Sequence, residues 1–413
     1  MKLALKGGTP VRARPFAKWP EWDEREGAAL RGVLESGSWG GYPSPNRHAR
    51  EFAAKFAAYC GTTFGVCAAN GSVTLEMALL AAGLEPGSEV IVPAYTFVAT
   101  ASAVVYTHGV PVFVDVDPDT YCMDPRAVEA AITPRTRAII PVHLACNMAD
   151  MDAILAIAEK RGLLVIEDCA HAHGATWRGK KAGSLGAMGS FSFQSSKLLT
   201  AGEGGIVVTS DRQLEMRLQS LVNCGRKEPG YDAFEGRMLG KNYRITEWSA
   251  AVLSAQLDRL DEQLERRIPR ARRLEERLRG LPGISFLKQD PRQDRRAIYQ
   301  FIVRYDATGF GGAPRDRVVQ ALNAEGIPAD GDFYTPLYQD HELFPMDRKT
   351  NPLAFLEYAK GYDLRRFHCP VTEKAAFREA IWLPHPIFLG SDEDVDDVAK
   401  AFEKIHESAA ELA

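Results

Sequence analysis

Between about residues 60 and 210 the chain alternates short apolar runs with stretches of helical period, and this alternation limits its fold more than any other feature. The runs "EVIVPA" (89–94), "PVFVDVD" (111–117), "AIIPVHL" (138–144), "LLVIEDC" (163–169), "GSFSFQ" (189–194) and "GGIVVTS" (204–210) read as strands. Helical patterns such as "DPRAVEAAI" and "DMDAILAIAEKRG" lie between several of them. A strand that is apolar throughout needs cover on both faces, and an intervening helix supplies the crossover that parallel pairing requires. The region therefore predicts an α/β fold on a large, mostly parallel sheet. Ligands of such sheets gather beyond the carboxyl ends of the strands.

The charge-rich stretch "LSAQLDRLDEQLERRIPRARRLEERLRGL" (253–281) reads as a solvated helix, kinked by Pro269, leading out of the first unit. Beyond it, "AIYQFIVRYD", a helical "PRDRVVQALNAEG" and a final helix from about Asp392 predict a smaller α+β unit. The expected division is an N-terminal segment and large domain over 1–260, then a linker helix and small domain over 261–413. A net charge of -4, with acids balancing the arginines, gives no bias toward nucleic acid or an anionic membrane. The start, "MKLALKGGTP", does not read as a signal peptide, and no apolar run is long enough to span a bilayer. Seven widely spaced cysteines without a Cys-x-x-Cys pair suit a reducing cytoplasm better than a disulfide framework or a zinc site.

Two strand ends carry unusual residues. "LLVIED" closes on two acids, the second being Asp168, and "SFQSSKLLTAGEGG" (192–205) brings out one amine, Lys197, among hydroxyls and amides. Each has an ordinary reading: a lysine is usually a solvated charge, and an acid after a strand usually caps a helix. Pyridoxal 5'-phosphate needs both groups, an amine for its aldehyde and a carboxylate to keep its ring nitrogen protonated. It also needs N–H groups and hydroxyls at a helix N-terminus for its phosphate, and a face against its ring. "AANGSVTLEMALLAAG" (68–83) offers a turn and helix for the phosphate, or simply a capped turn. Phe97, in "PAYTFVATASAV" (93–104), offers a stacking ring, or simply core.

The order and spacing of these segments resemble the sugar and cyclitol aminotransferases of the DegT/DnrJ/EryC1/StrS family, from about Trp19 to the final helix. "NGSVTLEMAL", "VIVPAYTFVATASAV", "IEDCAHAHGA", "GSFSFQSSKLLTAGEGG" and "GKNYRITEWSAAV" carry the likeness. The resemblance implies the aspartate aminotransferase-like fold type I, with Lys197 as Schiff-base lysine and Asp168 at the pyridinium nitrogen. It places His171 near the cofactor's 3-hydroxyl, and Ser72, the Val73 N–H and Ser192 on the phosphate. Asn242 is expected to reach the phosphate of a neighbouring subunit, which makes the active unit a homodimer. Gln194 stands where many nucleotide-sugar members have histidine, Phe97 where many have tryptophan, and Val73 and Thr74 replace commoner small residues. Retention of Lys197 implies transamination, since members with histidine there dehydrate sugars instead.

"DTYCMDP", "FSFQ", "TAGEGGIVVTS" and "IWLPHPIFLG" look most like the aminotransferases of inosose-type cyclitols and the 3-amino-5-hydroxybenzoate synthases. That branch implies L-glutamine or L-glutamate as amino donor and a keto-cyclitol or keto-sugar as acceptor. His385, in "LPHP", stands where that branch also has histidine and is expected on the substrate side, as are Trp39 and Tyr42 in the less usual stretch "SGSWGGYPSPN". Three readings stay open on the sequence: a transaminase, a dehydrating enzyme of the aminohydroxybenzoate type, and a catalytically silent relative acting as a sensor.

Overall fold

The computed structural model describes residues 2–41, 44–226, 238–340 and 362–412. Nine strands and eight helices make its first part. The strands are β1 (Phe64–Ala68), β2 (Glu89–Pro93), β3 (Val110–Val114), β4 (Thr136–Ile139), β5 (Leu164–Asp168), β6 (Thr176–Trp177), β7 (Lys180–Lys181), β8 (Met188–Ser192) and β9 (Gly205–Thr209). The helices are α1 (Glu24–Ser36), α2 (Arg47–Cys60), α3 (Gly71–Ala81), α4 (Ala99–Tyr106), α5 (Pro125–Ala131), α6 (Met151–Arg161), α7 (Arg212–Val222) and α8 (Glu247–Leu278). Seven strands form one sheet in the order β1-β9-β8-β5-β4-β2-β3, while β6 and β7 form a separate small hairpin. The pairs from β8 to β3 are parallel, and only β9 runs against its two neighbours.

Side-chain alternation explains why the apolar runs are continuous. Ile91, Val165, Ile206 and Val208 enter the hydrophobic cluster on one face of the sheet, whereas Val90, Val92, Ile166 and Val207 enter the cluster on the other. Both faces are covered, so every position in β2 is buried. The second part holds a three-stranded antiparallel sheet, β10 (Ile284–Phe286), β11 (Gln300–Tyr305) and β12 (Ala380–Pro384), with α9 (Arg315–Ala324) and α10 (Asp392–Glu407). A third cluster joins these elements and includes Leu3. All seven cysteines are free, and no helix among the described residues is long and apolar enough to cross a membrane.

Two expectations need amendment. The edge strand β1 escaped the sequence reading: its "FGVCA" contains Gly65, a poor strand former. Glycine is needed there because a β-carbon would lie 2.7 Å from the Ala53 carbonyl of α2. The charge-rich helix is also not merely solvated. α8 continues through Pro269 for 32 residues and buries Arg259, Gln263 and Arg267 along with its leucines. Its charges are partly interior because it packs against α1, α2 and α10, with Arg259 Nη2 3.0 Å from Glu26.

Candidate active site

The carboxyl ends of the central strands border a cavity of about 730 Å³. Ser72, Val73, Phe97, Asp168, His171, Ser192, Gln194 and Lys197 all line it, so the fold gathers eight of the twelve expected site residues at one place.

Asp168 ends β5 and is buried. Its Oδ2 accepts from the Thr100 hydroxyl at 2.9 Å, and its Oδ1 accepts from the Ala170 N–H at 3.1 Å. The second bond is the local turn that an acid after a strand commonly makes, and it leaves the carboxylate on the cavity wall. Burial pushes this carboxyl's pKa up, against the opposing pull of Ala170, Thr100 and Lys197. A carboxylate in that state gains from a cationic N–H placed against it.

Lys197 lies on the connection between β8 and β9, where its N–H donates to the Gln194 carbonyl at 2.8 Å. Its Nζ sits 4.3 Å from the ring centre of Tyr299 and has no hydrogen bond or ion pair among the described residues. Gln194 folds back on this connection. Its Oε1 accepts from the Ser196 N–H at 2.9 Å and hydroxyl at 2.7 Å, and its Nε2 donates to Ser195 Oγ at 2.8 Å.

Across the cavity, α3 begins at Gly71, and Asn70 caps it by accepting the Val73 N–H at 3.0 Å. That N–H, expected on a phosphate, is therefore already engaged. The Ser72 hydroxyl makes no protein hydrogen bond among the described residues. The turn is pressed hard against the sheet: a β-carbon at Gly71 would lie 2.5 Å from Ser192 Cβ, and one at Gly205 2.6 Å from the Asn70 carbonyl. Only glycine at both positions brings the helix N-terminus this close to Ser192.

His171 is buried, and its Nδ1 accepts the Ala145 N–H at 3.2 Å. The remaining proton is therefore on Nε2, which faces the Tyr334 hydroxyl at 3.1 Å. Burial and then the Lys197 cation hold its pKa well below the usual histidine range, so the ring is neutral. Phe97, more than half exposed, forms the outer wall, its ring 6.4 Å from that of Tyr334.

The other expected residues lie elsewhere. Asn242 is exposed and bridges to Asn223, and Trp39 packs on Trp248 with ring centres 5.6 Å apart. Tyr42 lies outside the described residues. His385 does not face the cavity. It is 2% exposed, and both ring nitrogens are engaged, Nδ1 by Arg267 and Nε2 by the Ser196 carbonyl. No ring nitrogen remains for a substrate hydroxyl.

Sequence reasoning missed Thr100, Tyr299, Phe333 and Tyr334, which line the cavity or bond to Asp168. Thr100 carried a faint signal, a hydroxyl inside an apolar helix start; the aromatic three reach the site from residues 299–334 and carried none. The other acid of β5, Glu167, is structural. It accepts from the N–H groups of Gly183, Leu185 and Gly186 at 2.9, 2.8 and 2.7 Å and contacts His143 Nε2 at 3.0 Å. These bonds fill its lone pairs, so the His143–Glu167–Cys169 cluster ties a loop to the sheet and offers no open metal ligand.

Compared with known proteins, the chain falls among the fold type I aminotransferases. More narrowly, it belongs to the DegT/DnrJ/EryC1/StrS aminotransferase family, whose sequence profile matches residues 20–403. It is 48% identical to a protein of Streptoalloteichus tenebrarius provisionally named L-glutamine:3-amino-2,3-dideoxy-scyllo-inosose aminotransferase, over 100% of this chain and 99% of that one. It is 41% identical to the L-glutamine:scyllo-inosose aminotransferase of Streptomyces griseus, again over 100% and 99% of the two chains. The crystal structure of 3-amino-5-hydroxybenzoic acid synthase superposes with a TM-score of 0.82 at 35% identity, covering 97% of this chain and 100% of that chain. The protein is a transaminase.

Proposed function

We propose that the protein binds pyridoxal 5'-phosphate and transfers the amino group of L-glutamine, or L-glutamate, to a free inosose-type keto-cyclitol, as a cytoplasmic homodimer with shared active sites. The observation that carries the reading is an amine with no hydrogen bond or ion pair among the described residues, in the same cavity as a buried carboxylate at a strand end. The donor set fits the cofactor: Lys197 for its aldehyde, Asp168 for its ring nitrogen, Phe97 for a ring face. Ser72 and Ser192, at the close approach that Gly71 permits, suit its phosphate. When bound, the cofactor supplies a carbonyl for the donor's nitrogen and a ring that takes up charge as the α-proton leaves.

This chain's residues do the rest. The Lys197 amine holds the cofactor and then carries a proton from the donor's α-carbon. Asp168 keeps the ring nitrogen protonated, which favours proton loss at that carbon. Neutral His171 and Tyr334, which meet at 3.1 Å on the cavity wall, would offer hydrogen-bonding groups to the cofactor's hydroxyl. The relatives' names support the glutamine donor and the cyclitol acceptor.

A nucleotide-linked sugar is the second acceptor to weigh, and its pyrophosphate calls for cationic partners. Among the described residues no arginine lines the cavity. Arg365 is paired with Asp363 at 2.7 Å, and Arg366 lies over the rings of Tyr362 and Phe367. A neutral polyol suits such a wall better. The test loads the protein with cofactor, adds each amino donor in turn, and follows the absorbance of the bound cofactor. L-Glutamine is expected to convert it and an inosose-type ketone to restore it; restoration by nucleotide keto-sugars alone would overturn the acceptor.

A further inference from the structure

His385 resembles a substrate residue in sequence, but its surroundings give it another task. The connection that carries Lys197 belongs to neither a strand nor a helix, so the amine's position depends on what grips the residues just before it. Two consecutive carbonyls are gripped from outside the cavity. The Trp19 Nε1–H donates to the Ser195 carbonyl at 3.0 Å, and His385 Nε2 lies 3.1 Å from the Ser196 carbonyl. The Ser196 hydroxyl meets the Tyr299 hydroxyl at 2.8 Å, and the His385 N–H donates to the Tyr299 carbonyl at 3.2 Å. Tyr299 is also the ring beneath Lys197 Nζ.

The tautomer of His385 is determined by its partners. A carbonyl only accepts, so Nε2 carries the proton, and Nδ1 must accept from Arg267 Nη2 at 3.1 Å. Arg267 is fully buried, and its Nε and Nη1 have no hydrogen-bond partner among the described residues. A buried guanidinium is costly, and although the Glu21 charge acts on it from beyond ion-pair distance, no ion pair among the described residues accounts for it. Holding His385 in the donating tautomer does. The same guanidinium lies 5.0 Å from the Trp19 ring, which stands edge-on to His385 at 4.6 Å. The N-terminal segment, α8 and the turn after β12 thus converge on one short loop. Burial and the Arg267 charge both push the pKa of His385 well down, so the ring remains a neutral donor.

We propose that His385, fixed by Arg267 and assisted by Trp19, is a positioning residue that sets where Lys197 presents its amine. The proposal rests on Lys197 being the residue that holds the cofactor. His385→Phe removes the donor while keeping a ring; His385→Gln restores an N–H for Ser196 and an oxygen for Arg267. Trp19→Phe removes the second donor at a partly exposed position.

The readouts are the rate at which pyridoxal phosphate attaches to apo-protein, followed by absorbance, and kcat and KM for the ketone. A misplacement near 1 Å costs about 100-fold in a positioned reaction, so His385→Phe is expected to slow attachment and kcat by roughly 10- to 100-fold. KM for the ketone should stay within about twofold, as for a residue that binds no substrate. His385→Gln is expected to recover most of the loss, and Trp19→Phe to show a smaller loss of the same kind. A raised KM with kcat and attachment unchanged would return His385 to the substrate and overturn the proposal. So would unaltered attachment in both His385→Phe and Trp19→Phe. If His385→Phe does not fold, Trp19→Phe alone decides. Hydride reduction of Lys197→Ala tests the underlying reading separately: cofactor still fixed to that variant would remove Lys197 itself, whereas normal attachment in the clamp variants alone removes only the clamp.

Discussion

Gly71→Ala probes the close approach on which the proposed phosphate site depends. The added β-carbon would lie 2.5 Å from Ser192 Cβ and 3.0 Å from Ser192 Oγ. Carbon atoms in contact rest at about 3.5–4.0 Å, so the overlap is about 1 Å and the start of α3 must move off the sheet. Overpacking of this kind costs about 1–3 kcal/mol, and a helix gains up to about 1 kcal/mol when alanine replaces glycine. The free protein can therefore relax by shifting the helix start, with a net stability loss of about 0–2 kcal/mol. Binding the cofactor requires the original position, so the strain reappears there. At about 1.4 kcal/mol per tenfold, affinity for pyridoxal phosphate should fall roughly five- to hundredfold. Titration of apo-protein by absorbance gives that number, and urea unfolding of the same apo-protein gives the stability term. Cofactor affinity within twofold of the parent, with the protein folded, would refute the assignment of this turn to the phosphate.

Four other outcomes are expected. Lys197→Ala should lose covalent fixation of the cofactor by hydride and several orders of magnitude in turnover, since no other amine lines the described cavity. Asp168→Asn should still bind cofactor but slow the half-reaction by about 100-fold, or ~2.7 kcal/mol, measured in a single turnover. Burial and the Lys197 charge hold the pKa of His171 well below its ordinary value, so it gains a proton only in solution more acid than an ordinary histidine needs. The half-reaction's pH profile between about 6 and 8 should then keep its inflections in His171→Gln. If Asn242 completes the partner's site as proposed, co-expressed Lys197→Ala and Asn242→Ala chains should give hybrid dimers more active than the two parents added together, since one site of each hybrid would then be intact.

Six of the seven strands of the large sheet were legible because burial on both faces leaves mostly apolar runs, a signal that survives without any knowledge of partners. β1 was not: its Gly65 answers to α2, a tertiary demand that weakens the local pattern. α8 misled in the same way. Its alternating charges resemble a solvated face, yet Arg259 and Arg267 are interior because α1 and the turn after β12 close over them. At the site, Lys197 and Asp168 stood out because an amine and an acid at apolar strand ends are locally anomalous. Tyr334 reaches His171 across 163 positions, and nothing near it in the chain announces that contact. His385 was legible as a feature, but only the fold reveals that Arg267 and Ser196 engage its nitrogens.

The central claim is amino transfer from glutamine to a free keto-cyclitol. Its most direct test supplies L-glutamine labelled with ¹⁵N at the α-amino group, together with an inosose-type ketone, to the cofactor-loaded protein, and follows the label by mass spectrometry. The labelled nitrogen is expected in an aminocyclitol, with Lys197→Ala giving none. An unaminated cyclitol, with the label recovered in a nucleotide-linked amino sugar when that acceptor is offered instead, would contradict the claim.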